Sequence, residues 1–175
     1  MIPCGSREDK KFSVSDEERW KMLNIAYNSY FTDKEKEKIK LDDIELKNKE
    51  MIPTYQLLSD FQRKDKKNVY YFVMGSDVLQ YIELFDDYDR IKREIRCIVI
   101  ERSSCIINNT LLRIAPYKSL FFYSWESCRR KTNSTEVREI LSSGKSRAEI
   151  KQNLERMIER KLVEYILKEG FYQDY

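Results

Sequence analysis

One stretch of this chain, residues 68–79, constrains the fold more than any other. Residues 69–74 are apolar or aromatic without polar alternation, which is typical of a strand buried on both faces of a parallel sheet. Gly75 interrupts this run, and apolar residues return at helical spacing from Val78 onward. The pattern predicts a central strand, a tight turn and a helix.

The predicted turn contains Gly75 and Asp77. Ligands of open α/β sheets bind outside the carboxyl ends of the strands, where a glycine permits close approach and a carboxylate accepts hydrogen bonds from ribose hydroxyls. Asp77 is therefore a candidate ligand-binding residue. In a simpler interpretation Gly75 only turns the chain and Asp77 only caps the helix, and the local sequence by itself favours that interpretation.

Further apolar segments extend the predicted sheet. Residues 95–100 form a second buried strand, separated from the first by enough residues for a helical crossover, so the pair predicts a parallel βαβ unit. Residues 111–115 and 120–125 predict one or two more strands, at a sheet edge because Pro116 lies between them. A short strand is expected within residues 39–46. The predicted fold is α/β, an open parallel sheet with helices on both faces, in one domain over residues 1–175.

Capping signals define the predicted helices. Ser15 and Glu18 form a capping box ahead of a helix over residues 16–30, and Pro53 suits the first position of a helix that ends near Arg63. A third helix starts at residue 133 or 134 and ends before residue 144. The last one opens with the capping box of residues 146–149 and continues to residue 170.

The charge balance excludes several kinds of partner. The 33 basic and 30 acidic residues are interspersed and leave a net charge of +3, so we expect no nucleic-acid partner.

No apolar run approaches the ~20 residues that cross a bilayer, and the start of the chain lacks the features of a signal peptide. We expect no membrane association and a cytoplasmic location, with the nucleus as the alternative. The sequence does not indicate an oligomeric state.

Cysteine and histidine usage limits the chemistry. Cys4, Cys97, Cys105 and Cys128 contain no Cys-x-x-Cys pair, which argues against a zinc site or a disulfide framework and favours reduced, mostly structural thiols. The chain contains no histidine, which removes the commonest general base and every Ser-His or Cys-His arrangement. Any reaction must therefore use carboxylates, lysines, arginines, backbone amides or an external metal.

Arg138 has an unusual predicted position in the first turn of a helix, where its charge opposes the helix dipole. A bound anion would remove this conflict, because the free amides, the hydroxyls of Ser134 and Thr135 and the guanidinium would all bind it. In the alternative, Glu136 and Glu139 neutralise Arg138 on the surface. The local sequence does not distinguish the two.

Five motifs occur together along the chain. They are Pro3 to Lys10 followed by Arg19; Glu45 with the Ile-Pro-Thr-Tyr-Gln-Leu-Leu segment 52–58; Gly75-Ser-Asp77 with Arg102 after the next strand; Asn133-Ser-Thr-Glu-Val-Arg138; and Val163-Glu-Tyr-Ile166 through Gly170-Phe-Tyr172. The combined pattern resembles the nicotinate or nicotinamide mononucleotide adenylyltransferases of the nucleotidyltransferase α/β superfamily. The resemblance runs nearly from end to end of the chain.

The resemblance implies a reaction in which the phosphate of a pyridine mononucleotide attacks ATP, with Mg²⁺ bound to the ATP. The ATP phosphates would be bound by Ser134, Thr135 and Arg138. The mononucleotide would be bound by Lys10, Arg19, Thr54, Gly75, Asp77, Phe85 and Arg102. Phe85 stands where the family usually has a tryptophan, and its ring retains an aromatic face for stacking. The pattern identifies neither a catalytic residue nor a protein-bound metal.

The family's first strand, glycine-rich turn and His-x-Gly-His box have no counterpart in this sequence, which by the resemblance starts inside the family's second strand. A first strand lies in the middle of such a sheet, and its loss leaves backbone groups unpaired. We expect the working protein to carry roughly 25 to 30 more residues, one βα unit. The alternative is a catalytically inactive or incomplete nucleotide-binding relative.

We predict that the 175-residue chain is marginally stable or inactive and that a form with the upstream unit is active. Both forms would be expressed and assayed for dinucleotide formation from ATP and nicotinate mononucleotide. Robust turnover by the short form would show that the histidine box is dispensable.

Overall fold

The computed structural model describes residues 1–5, 12–48, 51–123 and 134–173. The chain divides into two compact units. The first unit combines Met1–Met51 with Thr132–Tyr175, and the second unit is Ile52–Lys131. The prediction of a single domain stays a prediction.

The second unit contains a parallel sheet. Its strands within the described residues are β1 (Phe72–Gly75), β2 (Arg96–Ile100) and β3 (Lys118–Phe122), in the order β1-β2-β3. Both strand pairs are parallel, with Val73 opposite Ile98 and Ile98 opposite Leu120. The α/β fold and the parallel pairing of the first two predicted strands are therefore confirmed.

Helices precede, connect and follow these strands. Those of the second unit are α4 (Thr54–Lys64), α5 (Ser76–Leu79), α6 (Tyr88–Glu94) and α7 (Asn109–Ile114), with a 3₁₀ turn at Ile82–Leu84. Those of the first unit are α1 (Asp16–Tyr30), α2 (Asp33–Lys36), α3 (Ile44–Lys47), α8 (Ser134–Leu141), α9 (Arg147–Leu154) and α10 (Arg160–Glu169).

The first strand differs from its prediction in length and in burial. It starts at Phe72 rather than Val69, and β2 rather than β1 is the middle strand of the described sheet. Met74 is buried, whereas the neighbouring side chain of Val73 is 56% exposed. Successive side chains of a strand point to opposite faces, so an apolar run does not by itself reveal which face is covered. The prediction of burial on both faces is wrong for this strand.

One face of the sheet forms the core of the second unit. Met74, Cys97 and Val99 lie on it and pack with side chains from the helices. These helical residues include Leu79, Ile82, Ile91 and Leu111. The opposite face carries Val73, Ile98, Ile100, Leu120 and Phe122, of which all but Ile98 are exposed. The helices of the second unit thus stabilise the sheet from one side.

Two predicted strands are helices instead. Residues 111–115 belong largely to α7, because the Asn108 side chain accepts hydrogen bonds from the amides of Thr110 and Leu111 at 3.0 and 3.1 Å and caps the helix. In residues 39–46, α3 begins at Ile44, whose amide donates to the Asp42 carboxylate at 3.0 Å. In both segments a short apolar pattern fits helix and strand equally, and near residue 111 the Asn108 cap favours the helix.

The first unit confirms most of the predicted helix limits. The first helix has the predicted limits, and its capping Ser15 hydroxyl accepts from the Glu18 amide at 3.2 Å. The capping box of Ser146 and Glu149 is confirmed. That of Ser15 and Glu18 is only half formed, because the Glu18 carboxylate accepts from Lys21 and Tyr165 instead. The predicted continuous last helix is wrong, because α9 ends at Leu154 and Glu159 caps a separate α10 through the amides of residues 161 and 162.

Helices α8, α9 and α10 share an apolar core in the first unit. Its buried members are Leu141, Ile150, Leu154, Val163, Ile166 and Leu167. In the described part of the chain, no helix is both long enough and apolar enough to cross a bilayer.

A matched pair of leucines tests the packing of the second unit. Leu79 is fully buried and Leu84 is 80% exposed. We expect Leu79→Ala to lower the free energy of unfolding by about 2–5 kcal/mol because it leaves a cavity, and Leu84→Ala to change it by less than about 0.5 kcal/mol. Denaturant titration would measure both, and equal effects would contradict this packing.

Candidate functional site

The carboxyl ends of β1 and β2 bring three predicted site residues together. Gly75 ends β1 opposite Ile100, and Asp77 and Arg102 follow the two strand ends. A distance of 3.8 Å separates Arg102 Nε from Asp77 Oδ2. Their side chains are 46% and 41% exposed, so the ion pair contributes at most about 1 kcal/mol. A ligand therefore displaces or joins this pair at little cost.

Glycine is required at position 75 because a side chain would not fit there, and not because of the backbone angles. Its φ of −79° is one that any residue adopts. A Cβ at this position would lie 2.1 Å from Asp77 Oδ1 and 3.1 Å from Arg102 Cγ. The glycine therefore makes room for both charged side chains. The simpler interpretation of Asp77 as the helix cap is wrong, since Gly75 occupies the N-cap position and Asp77 lies within α5.

Ser76 is a structural element of this site that sequence reasoning missed. It is fully buried, and its hydroxyl donates to the carbonyl of Cys105 and accepts from the Arg102 amide at 2.9 Å. Cys105 in turn donates its thiol to the Ser76 carbonyl at 3.4 Å. These bonds hold the loop after β2 against the turn after β1, which fixes the backbone of Arg102 beside Asp77. A serine between glycine and aspartate is ordinary in a turn, so the sequence carried no signal for this role.

Thr54 and Phe85 also belong to the second unit. Thr54 is the first residue of α4, directly after the N-cap Pro53. Phe85 ends the 3₁₀ turn, where its amide donates to the Ile82 carbonyl at 3.1 Å, and its ring packs partly buried against the core. The roles of both side chains toward a ligand stay predictions.

Arg138 lies in the first unit, one turn into α8. Its Nη1 is 3.5 Å from the Ser134 hydroxyl, and its Cζ lies 5.6 Å from the ring centroid of Tyr172. Ser134 and Thr135 are exposed in the first turn of the helix, where backbone amides have no partner within the helix. The prediction that Arg138 lies in the first turn is wrong, because it is the fifth residue of the eight-residue helix and belongs to its last turn. Its side chain extends back toward the Ser134 hydroxyl at the helix start. Asn133, the other predicted cap, lies outside the described residues.

Arg19 is largely shielded from solvent within the first unit. Its side chain is 11% exposed, donates from Nη1 to the Cys4 carbonyl at 2.5 Å, and donates from Nη2 to Asp16 at 2.6 Å. The guanidinium lies 3.8 Å from the ring centroid of Phe12. Its Nε is buried and has no hydrogen-bond partner among the residues that the structure describes. Arg19 therefore organises the start of the first unit. Lys10 lies outside the described residues.

Burial sets the protonation of two groups. It raises the pKa of the Cys97 thiol to about 12, so this residue stays an unreactive, structural thiol. Burial also raises the pKa of the Tyr172 phenol, and the positive charges of Arg138 and Arg19 oppose that shift. The phenol is therefore protonated at neutral pH. Cys128 lies outside the described residues.

The described ranges contain no group of three or more cysteine, aspartate or glutamate side chains that could hold a metal ion. Asp77 is the acidic residue that the sequence predicted at the carboxyl end of the sheet, and its carboxylate lies beside the Arg102 guanidinium. A divalent cation at this site would take most of its ligands from a bound substrate and from water.

A parallel α/β sheet with Gly75, Asp77 and Arg102 at the carboxyl ends of adjacent strands places the chain among the α/β proteins that bind ligands at this edge of the sheet. The cytidylyltransferase-like family model matches residues 1–140, and the chain belongs to that family.

Several relatives carry a more specific description. A probable nicotinate-nucleotide adenylyltransferase of Clostridium tetani is 23% identical over 99% of this chain and 82% of its own length. One from Streptococcus mutans is 27% identical over 54% of this chain, and the match spans 42% of that protein. The Plasmodium falciparum nicotinic acid mononucleotide adenylyltransferase complexed with NaAD matches with a TM-score of 0.82 and 28% identity, over 98% of this chain and 80% of the other.

Gly75→Ala tests the close approach at the strand end. The first atom that the new methyl group meets is a carboxylate oxygen at the end of a side chain, so we expect the fold to survive and the Asp77 carboxylate to move. Binding of nicotinate mononucleotide should weaken by about tenfold, on the order of one lost hydrogen bond to a charged group. Calorimetry would measure the affinity.

Gly144→Ala provides the matched control. Gly144 has a φ of 67°, and a methyl group added to it would have no neighbouring atom within 4 Å. An alanine there should cost about 1–2 kcal/mol of stability because of the left-handed backbone, with unchanged affinity. Equal affinity of the Gly75→Ala variant and the parent protein would contradict the steric role of Gly75.

Proposed function

We propose that this protein is a nicotinate mononucleotide adenylyltransferase, with the nicotinamide form as the alternative substrate. The observation that carries the proposal is the ion pair of Asp77 and Arg102, whose side chains lie close to Gly75. This pair lies at the strand ends, where α/β proteins bind nucleotides. The similarity to an adenylyltransferase complexed with NaAD, over nearly the whole chain, supports the choice of reaction.

In the proposed reaction, a phosphate oxygen of the mononucleotide forms a bond to the α-phosphorus of ATP. The bond from that phosphorus to the oxygen bridging it to the β-phosphate breaks, and pyrophosphate leaves with the electron pair. No covalent bond to the protein is needed, so the protein contributes positioning and positive charge.

The second unit supplies the groups proposed to bind the mononucleotide. The Asp77 carboxylate accepts hydrogen bonds from ribose hydroxyls, and the Arg102 guanidinium binds an anionic group of the nicotinate nucleotide. Phe85 offers a ring face to the pyridine. The half-exposed state of both charged side chains supports this role, because a ligand reaches them without unfolding any element.

The first unit supplies the groups proposed to bind the phosphates of ATP. They are the hydroxyls of Ser134 and Thr135, the amides at the start of α8 and the guanidinium of Arg138. Mg²⁺ is proposed to arrive on the ATP phosphates, where it neutralises charge on the leaving pyrophosphate. Arg19, buried against Phe12, is proposed to maintain the neighbouring backbone rather than to contact substrate.

The direct test is dinucleotide formation from ATP, Mg²⁺ and nicotinate or nicotinamide mononucleotide, followed by chromatography. In line with the prediction from the sequence, we expect the form with the upstream unit to produce the nicotinate dinucleotide together with pyrophosphate. Binding of both substrates without turnover, by the form that carries the upstream unit, would instead identify a catalytically inactive relative. Absence of mononucleotide binding would contradict the proposal.

Arg138→Ala is expected to weaken binding of ATP or pyrophosphate by about 1.5–3 kcal/mol, the contribution of a hydrogen bond to a charged group. Calorimetry would measure the change. Arg147→Ala is the control, because Arg147 is an exposed arginine in the first turn of the next helix of the same unit. Equal affinity of the Arg138 variant and the parent protein would assign Arg138 to the surface.

A further inference from the structure

We infer that Tyr172 is a positioning residue that holds the guanidinium of Arg138, so that the turn after α10 sets the geometry of the phosphate-binding helix start. The contact that carries the inference joins Arg138 Cζ to the Tyr172 ring centroid over 5.6 Å. That distance is within the range in which an aromatic face attracts a cation. The inference rests on the proposed function only in taking Arg138 as a phosphate ligand.

The backbone of Tyr172 is held in an unfavourable conformation. Its φ is 64°, and in the described part of the chain Asp87 is the only other residue besides glycine with a positive φ. A bulky side chain rarely adopts the left-handed region, and such residues persist where surrounding contacts enforce them. The conformation therefore indicates that the direction of this side chain matters more than the local backbone preference.

The chain reaches this conformation through the end of α10. Gly170 ends the helix with a φ of 71°, and the amide of Phe171 donates to the Ile166 carbonyl at 3.2 Å. This bond closes the turn that follows a helix with a left-handed cap. Tyr172 comes directly after it and places its ring against Arg138.

A series of aromatic contacts holds the Tyr172 ring. Phe171 meets it edge to face, with the ring centroids 6.4 Å apart, and Phe171 meets Tyr165 in the same way at 6.0 Å. The Tyr165 hydroxyl donates to the Glu18 carboxylate on α1. Each contact restricts the next ring, so the position of Tyr172 depends on α1 and α10 together.

The charge state of Tyr172 suits this role. Burial raises the pKa of its phenol, against the opposing effect of Arg138 and Arg19, so the ring is neutral at physiological pH. A neutral ring attracts the guanidinium through its face and does not pair its charge as a carboxylate would.

A purely structural role for Tyr172 makes different predictions. Its ring also packs against the core of the first unit, so removing it should lower stability in either case. Only a positioning role predicts a change in the mobility of the Arg138 side chain and a dependence on aromatic character. Arg138 mobility and pyrophosphate affinity therefore distinguish the two roles.

The test compares Tyr172→Leu, Tyr172→Asn and Tyr172→Phe with the parent protein. Leucine keeps the bulk without the ring, asparagine suits a positive φ without the ring, and phenylalanine keeps the ring. Tyr30→Leu, at an exposed tyrosine of α1, is the control. The asparagine variant keeps the test decisive if the leucine variant does not fold.

The first readout is nitrogen-15 relaxation of Arg138 Nε without ligand. We expect greater Arg138 mobility in the leucine and asparagine variants and parent values in the phenylalanine and Tyr30 variants. The second readout is calorimetric affinity for inorganic pyrophosphate. It should fall by about two- to fivefold when the ring is lost and stay within about twofold in Tyr172→Phe. In an Arg138→Ala background, Tyr172→Leu should have no further effect.

The outcomes separate this inference from the proposed function. If the parent binds pyrophosphate and Arg138→Ala weakens it, but the ringless variants retain parent affinity and parent Arg138 mobility, the positioning role is overturned and the phosphate site stands. If no pyrophosphate binds while Arg138 mobility still rises on loss of the ring, the phosphate site fails and the positioning role stands.

Discussion

The site at the carboxyl ends of β1 and β2 depends on the absence of a side chain at Gly75. At Gly75 a Cβ would occupy the space that Asp77 Oδ1 and Arg102 Cγ now fill. The parallel pairing of the strands places the two following loops side by side. The buried hydroxyl of Ser76 then joins them through the Arg102 amide and the Cys105 carbonyl. Strand pairing, the glycine and the serine together place two opposite charges where a nucleotide can reach both.

The first unit uses two arginines for different purposes. Arg19 is nearly buried, with the Cys4 carbonyl, Asp16 and the Phe12 ring around it, and so ties the start of the chain to α1. Arg138 lies one turn into α8, near the Ser134 hydroxyl and the Tyr172 ring. A guanidinium held by fixed protein partners, as in Arg19, stabilises structure, whereas that of Arg138 is the group proposed to bind the phosphates of ATP.

Membership of the cytidylyltransferase-like family and the α/β fold give this geometry a chemical context. Phosphoryl-group chemistry of the proposed kind needs oriented substrates and positive charge more than a nucleophile. Asp77 and Arg102 in the second unit and Arg138 in the first are the charged groups proposed for this role.

The sequence alone predicted the elements whose signals are local and strong. This group comprises the limits of α1, the start of α4, the parallel pairing of β1 with β2, and the Gly-x-Asp turn followed by Arg102. Caps and apolar runs act over a few residues, so the local sequence reveals them. Tertiary structure decided which face of β1 is covered, that residues near Leu111 form a helix, and that Ser76 joins two loops. It also decided that Arg19 is buried and that Tyr172 faces Arg138. These features depend on contacts between residues far apart in the chain, and no local pattern of side chains encodes them.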